Sequence, residues 1–257
     1  IDYAVMKSRQ FNPLGYSFET TDGTVHEKYF TGTFNGMGFS ISNLYVAGYN
    51  NLHIKEGEEA SEIDTVITPY YAMFTHNSGL ITNFGLINPT FELRDEHDDL
   101  TKASNIVGLN KGLVNKVFVE DTRTLQAGIM MKTPTGATST FYQASGIVFE
   151  NALGASFTNS YYVGRNVINQ SNINAFTVEP LVYRNYGTTS NLVYDSNLYL
   201  RQITINQTVV NIKEPSTLHT AETTTKLKTN SVLGTNFYYY PEDGYPKLIG
   251  LVKNNEN

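Results

Sequence analysis

Apolar residues in this chain come in short bursts punctuated by Asn and Gly, with no sustained helical spacing. Four bursts can be laid in one register. They are Met73-Phe74-Thr75-His76-Asn77-Ser78-Gly79, Ile106-Val107-Gly108-Leu109-Asn110-Lys111-Gly112, Ile147-Val148-Phe149-Glu150-Asn151-Ala152-Leu153-Gly154 and Leu181-Val182-Tyr183-Arg184-Asn185-Tyr186-Gly187. Each has two apolar residues, two of any kind, Asn, one or two more, then Gly. The Asn positions recur at intervals of 33, 41 and 34 residues.

A second half follows each first half: apolar, any, Asn-like, two of any kind, apolar. It is seen in Ile41-Ser42-Asn43-Leu44-Tyr45-Val46, Ile81-Thr82-Asn83-Phe84-Gly85-Leu86, Val114-Asn115-Lys116-Val117-Phe118-Val119 and Phe157-Thr158-Asn159-Ser160-Tyr161-Tyr162. Val193-Tyr194-Asp195-Ser196-Asn197-Leu198 is read as a fifth copy, with Asp195 in the Asn place.

The physics of this unit is direct. Asn and Gly tolerate left-handed backbone angles, so Asn followed closely by Gly marks a sharp turn. The flanking Val, Ile, Phe, Tyr and Thr suit a pleated, half-buried surface. One strand–turn–strand unit cannot close a core, whereas stacked copies bury a continuous apolar column. Asn recurring at one corner can stack as a ladder, each amide bonding the next. The pattern therefore predicts an all-β fold, a right-handed parallel β-helix (β-solenoid) with long loop insertions and non-repeat ends. The competing arrangement is a sandwich whose hairpin turns happen to carry Asn.

Residues 31–201 are assigned to the repeats, 1–30 to an N-terminal cap or docking segment, and 202–257 to a C-terminal cap. Three polar stretches interrupt the pattern at residues 55–63, 92–102 and 132–139, and are expected to be loops leaving the stack. A short helix is expected near residues 218–227. In the tail, Pro241 and Pro246 oppose further strand pairing, and Tyr238, Tyr240 and Tyr245 are expected to pack over the last repeat.

Composition narrows the function. The 257 residues carry a net charge of −6, and no Lys/Arg cluster supplies the basic stripe that nucleic acid needs. Cys is absent, which excludes disulfides, thiolate metal sites and Cys nucleophiles. No apolar run reaches the ~18 residues of a membrane span, and no signal-peptide pattern opens the chain. The chain begins Ile1-Asp2-Tyr3, without Met, as a processed form or a piece of a longer protein would.

Residues 29–46, YFTGTFNGMGFSISNLYV, resemble the F-x-G-x-F-D-G-N-G-x-x-I-x-N-L signature that opens many GLUG-motif proteins. Asn35 stands where that family usually has Asp, and Met37 where it often has Asn. The turns at residues 79–83 and 112–116 resemble the GLUG repeat, with Lys116 departing from Asn. The tail at residues 236–248, NFYYYPEDGYPKL, resembles the D-G-Y-P-x-L ending of the same arrays, with Tyr in place of Trp. The resemblance implies a right-handed β-helix of the kind found in bacterial surface and secreted proteins, adhesins and phage tails.

Candidate chemistry is sparse. Arg94-Asp95-Glu96-His97-Asp98-Asp99 is the densest ionisable block, but it lacks the spacing of a Ca²⁺ loop and shows no carboxylate pair on a rigid face. No two of the five His lie at metal-pair spacing, and His76 is read as a residue of the repeat's surface. No catalytic, cofactor-binding or metal residue is assigned. Tyr70-Tyr71 and Tyr161-Tyr162 are adjacent pairs, and alternation along a strand is expected to leave one ring of each exposed. Tyr70, Tyr71, Asp95, His97, Asp98, Tyr161 and Tyr162 form the candidate binding surface.

The expected function is that of a structural or adhesive module on a bacterial surface or phage virion. Its expected partners are protein subunits of a larger assembly or a surface glycan, with oligomers compatible and an extracellular, cell-surface or virion location. A polysaccharide-acting lyase or hydrolase is the alternative, and a passenger domain of a secreted protease the weaker one.

Overall fold

The computed structural model describes residues 11, 13–20, 24–48, 63–65, 70–94, 101–123, 128–132, 141–164, 166–169, 175–199, 201–205, 208–212, 219–229, 232–242 and 244–249. These residues are mostly β-strand, the strands lie largely in parallel sheets, and no sheet closes into a barrel.

The repeat found in the sequence is the structural unit. One copy supplies β7 (Tyr70–Tyr71), β8 (Phe74–Asn77), β9 (Leu80–Ile87) and β10 (Thr90–Arg94). The next supplies β11 (Thr101–Ser104), β12 (Val107–Asn110), β13 (Leu113–Glu120) and β14 (Gly128–Lys132). A third supplies β15 (Phe141–Ser145), β16 (Val148–Asn151), β17 (Ser156–Val163) and β18 (Asn166–Asn169). A fourth supplies β19 (Ala175–Glu179), β20 (Val182–Asn185), β21 (Thr188–Asp195) and β22 (Arg201–Ile205).

Most strands pair in parallel with their counterparts one repeat away, β10 with β14 and β18 with β22 in two separate sheets. The sheet orders are β19-β15-β11-β7 and β20-β16-β12-β8, and β21-β17-β13-β9 forms the middle of a longer sheet. Before them, β3 (Thr33–Asn35), β4 (Ser40–Ser42) and β5 (Tyr45–Gly48) pair in parallel with β9 and β10. After them, β24 (Thr220–Glu222) pairs with β21, so this sheet continues beyond residue 201.

In-register pairing lines up like residues. Phe74, Val107, Val148 and Val182 form one buried column. Ile81, Val114 and Phe157 form a second, and Val46, Phe91 and Ile129 a third. All belong to one hydrophobic core. Each fully buried side chain of this size contributes about 1.5–3 kcal/mol.

Asn77, Asn110, Asn151 and Asn185 occupy one register position, and their side-chain amides bond in sequence at 2.8 Å per step. A second set, Asn83, Lys116, Asn159 and Asn191, bends the long strands through positive φ of 62°, 55°, 51° and 52°. The fifth copy of this half is therefore Thr189-Ser190-Asn191-Leu192-Val193-Tyr194, because Phe157 pairs with Thr189 and Tyr162 with Tyr194. In the first repeat it is Phe34 that pairs with Ile81, whereas Ile41 pairs with Leu86. Both sequence alignments were displaced, one by a Thr in an apolar place and one by the extra turn around Met37 and Gly38.

The ends differ from the repeats. β1 (Tyr16–Thr20) and β2 (Val25–Lys28) form an antiparallel hairpin, and β6 (Ile63–Thr65) pairs with β1. Leu14 and Phe30 flank the hairpin and bridge to Phe74 and Asn77, so the first repeat begins inside residues 1–30. β23 (Thr208–Ile212) turns back on β22.

The tail consists of a short helix α1 (Thr224–Thr229), β25 (Tyr238–Tyr239) and β26 (Lys247–Leu248). It packs on the last repeat, where Tyr245 meets Val193 and Asp195, and reaches beyond it. It lies along the outer side of the β13-β17-β21 sheet, where Leu227, Leu233, Tyr238, Tyr245 and Leu248 form a second core with Phe118, Tyr161, Val163 and Val193. Lys247 reaches Glu120 at 2.6 Å, Tyr238 donates to the Asn159 carbonyl at 2.7 Å, and Asn191 donates to the Leu233 carbonyl at 3.2 Å. The tail thus spans three repeats.

This path explains Lys116. It keeps the left-handed bend of its Asn counterparts, and its ammonium sits 3.7 Å from the centroid of the Phe237 ring. Asp195, aligned in sequence with Asn, is instead a buried anchor. It accepts from the Asn197 and Leu198 amides, from Thr224, and from the Tyr245 hydroxyl at 2.7 Å.

Candidate functional site

The outward positions of two adjoining sheets gather a set of aromatic and charged side chains. The second residue of β8, β12, β16 and β20 is Thr75, Gly108, Phe149 and Tyr183; the third is His76, Leu109, Glu150 and Arg184. The neighbouring sheet adds Tyr70, Lys102 and Gln143 in one register row. Gly108 is the hinge of this arrangement. A Cβ there would lie 2.4 Å from the Tyr70 Cβ and 2.6 Å from the Thr75 carbonyl, so only Gly lets Tyr70 cross onto this face.

The result is a continuous row of rings. Tyr29 meets His76 at 5.3 Å, His76 meets Tyr70 at 5.5 Å, Tyr70 meets Phe149 at 5.6 Å and Phe149 meets Tyr183 at 4.9 Å. The first two contacts are edge-on and the last is stacked, geometries that suit the ring quadrupole.

Charges line the row. Lys111 lies 4.6 Å from the Tyr29 centroid and pairs with Glu27 at 3.4 Å. Glu27 also accepts from the Tyr29 hydroxyl, which holds its carboxyl below the usual range. Tyr70 donates to Glu150 at 3.2 Å, and burial raises its own ionisation far above the ordinary tyrosine value. Lys102 stands 5.1 Å over the Tyr70 ring, and burial lowers its pKa. Arg184 lies 6.0 Å from both the Phe149 and Tyr183 rings.

His76 is not a surface residue of the repeat. It is fully buried, its Nδ1 is 3.2 Å from the Thr75 hydroxyl, and its Nε2 has no hydrogen-bond partner. Burial pulls its pKa down to about 4. It is a neutral ring inside the row.

The sequence candidates separate. Tyr70 belongs to this face, buried at its floor, and Tyr71 packs against the main core. Tyr161 and Tyr162 are both buried, against the expectation that one ring of the pair is exposed. Tyr162 points into the main core, and Tyr161 points outward but is covered by the tail, donating to the Pro246 carbonyl at 2.6 Å. Neither ring is exposed in this structure. Asp95, His97 and Asp98 lie outside the described residues.

Sequence reasoning missed Glu150, Tyr183, Arg184, Lys102 and Gln143. The available signal was the pair of positions that the repeat leaves free before each Asn. Those positions change from Thr75-His76 to Tyr183-Arg184 along the chain.

Among the described residues, no group of three or more His, Asp or Glu is placed to hold a metal ion. No helix among them is long and apolar enough to cross a membrane. In the comparisons with known proteins, no family model, no curated protein and no solved structure matches this chain.

Proposed function

We propose that the chain is a right-handed β-helix of the GLUG-motif type that serves as a rigid structural or adhesive module of a bacterial surface or phage virion. The observation that carries this reading is where the chain leaves the repeats. The interruptions at residues 95–100, 133–140 and 170–174 join β10 to β11, β14 to β15, and β18 to β19. The first two join the same two sheets, β14-β10-β5 and β19-β15-β11-β7, and the third enters the second of these from the sheet of β18 and β22. Interruptions that enter the β7-β11-β15-β19 sheet at the same step leave the paired columns on either side in register. That is the economy of a repeat scaffold used for presentation. The Asn ladder supports the rigid half of the reading, since each buried amide ties one repeat to the next.

The test is loop excision in the full chain. Residues 95–100 and 133–140 are each replaced by a short Gly-Ser bridge. Thermal unfolding is followed alongside adhesion of protein-coated beads to bacterial and epithelial cell layers. The reading expects a melting temperature within a few degrees of the parent and a loss of adhesion. Unchanged adhesion, or collapse of the fold on excision, contradicts it.

A further inference from the structure

The aromatic row ends in a way that the rest of the face does not. Tyr183 lies on β20, the last strand of its sheet, and stacks on Phe149 with the ring planes 17° apart. One ring face is taken by Phe149, and the opposite face looks away from it along the row. Tyr183 and Arg184 are only half-buried, unlike His76, Tyr70 and Phe149.

Arg184 is held in place without being saturated. Nη1 is 3.9 Å from the Glu150 carboxylate, and Nη2 is 3.5 Å from the Gln143 side-chain oxygen. Both contacts are long for a guanidinium, whose charged hydrogen bonds close to about 2.7–2.9 Å. Most of its five donors therefore have no close acceptor among the described residues. Among the described residues Lys102 and Lys111 bring two further cations to the same face, against the carboxylates of Glu150 and Glu27. A local surplus of positive charge stands out on a chain of net charge −6.

A flat aromatic face beside an unsaturated guanidinium, an amide and a carboxylate is a set of complementary groups. The ring stacks on the apolar face of a pyranose. The fork matches a carboxylate in the bidentate manner. Gln143 and Glu150 offer hydrogen bonds to ring hydroxyls. We propose that Tyr183, Arg184, Gln143, Glu150 and Lys102 form a binding site for a carboxylated sugar within a glycan. This rests on the reading of the chain as an adhesive module and names the ligand class of one of its faces.

The experiment is calorimetric titration of the full chain with three probes: a galacturonic acid trimer, sialyllactose and neutral cellotriose. At least one carboxylated probe is expected to bind and the neutral one is not. Arg184→Gln and Tyr183→Ala are each expected to weaken binding tenfold or more, with unfolding curves like the parent's. Arg184→Lys, which keeps charge without the fork, should fall between. If Tyr183→Ala fails to fold, the two Arg184 variants decide the matter. The proposal is overturned if neither carboxylated probe binds, if cellotriose binds equally well, or if Arg184→Gln binds like the parent. The loop-excision experiment is independent of these variants, so failure of this site leaves that result standing.

Discussion

Asn110 donates from Nδ2 to Asn151 Oδ1 at 2.8 Å, across an interval of 41 residues and inside a fully buried corner. The same amide accepts from Asn77 at 2.8 Å and from the Gly112 backbone N–H at 3.1 Å. It is therefore both a link between repeats and the closure of a local turn. Removing it leaves several buried groups without partners, each costing about 1–3 kcal/mol. Asn110→Ala is expected to lower stability by about 3 kcal/mol or more in urea unfolding. Asn185→Ala, at the exposed end of the ladder, is expected to cost under about 1 kcal/mol because water can replace its bonds. Equal losses at the two positions would mean that the ladder contributes nothing beyond an ordinary turn.

His76 gives the fold an acid-sensitive point. Its pKa is lowered by burial to about 4 in the folded chain, against 6.5 for an ordinary imidazole. Between those values the unfolded state binds the proton and the folded state does not. Stability is thus complete above pH 6.5 and declines as pH falls toward 4, with a limiting slope of about 1.4 kcal/mol per pH unit. His76→Phe, which preserves a ring between Tyr29 and Tyr70, is expected to flatten this part of the profile. Urea midpoints at pH 7 and pH 5 decide it: a variant that loses as much stability as the parent contradicts the assignment.

Phe118 and Gly85 are a matched pair. Phe118 stacks on Tyr161 at 5.0 Å, and its ring lies where a Cβ on Gly85 would approach to 2.1 Å. Gly85→Ala is expected to cost about 1–3 kcal/mol, the usual range for overpacking. In a Phe118→Ala background most of that penalty should vanish, because the obstructing ring is gone. A double-mutant cycle with no coupling would show that the contact is not what excludes a side chain at residue 85.

The tail shields an apolar strip. Without residues 236–257, Phe118, Tyr161, Val163 and Val193 lose the cover of Tyr238, Tyr245 and Leu248. Such a strip promotes association, so the shortened chain is expected to show concentration-dependent self-association in light scattering. A chain that stays monomeric and as stable as the parent would place the tail outside the folding unit.

Much of the parallel stacking was legible because one residue type recurred where the backbone demanded it. Asn77, Asn110, Asn151 and Asn185 repeat for a physical reason, so their alignment carried the register of a whole sheet. The second half was read less well, because Lys116 keeps the bend of an Asn with a different side chain, and Thr189 occupies an apolar place. The candidate site was barely legible. Alternation tells which face of a strand a Tyr occupies, but not what lies over that face. Tyr161 points outward as expected and is buried by a tail that is distant in sequence. The Tyr183–Arg184 cluster arises where two sheets meet, and no local pattern encodes that meeting.

The central claim is the in-register parallel stacking of repeats, and the absence of Cys allows a direct test. Leu113 pairs with Ser156, and Ser156 with Thr188, one repeat apart in each case. Neighbouring strands lie about 4.8 Å apart, within the Cα separation of roughly 4.4–6.8 Å that a disulfide spans. The measurement is the extent of disulfide formation under mild oxidation in two matched double variants, Leu113→Cys/Ser156→Cys and Ser156→Cys/Thr188→Cys. An offset control, Leu113→Cys/Thr158→Cys, is oxidised alongside. Near-complete cross-linking of both matched pairs, with little in the control, is the expected result. Slow or absent cross-linking of the matched pairs, or equal cross-linking of the control, would contradict the stacked-repeat fold.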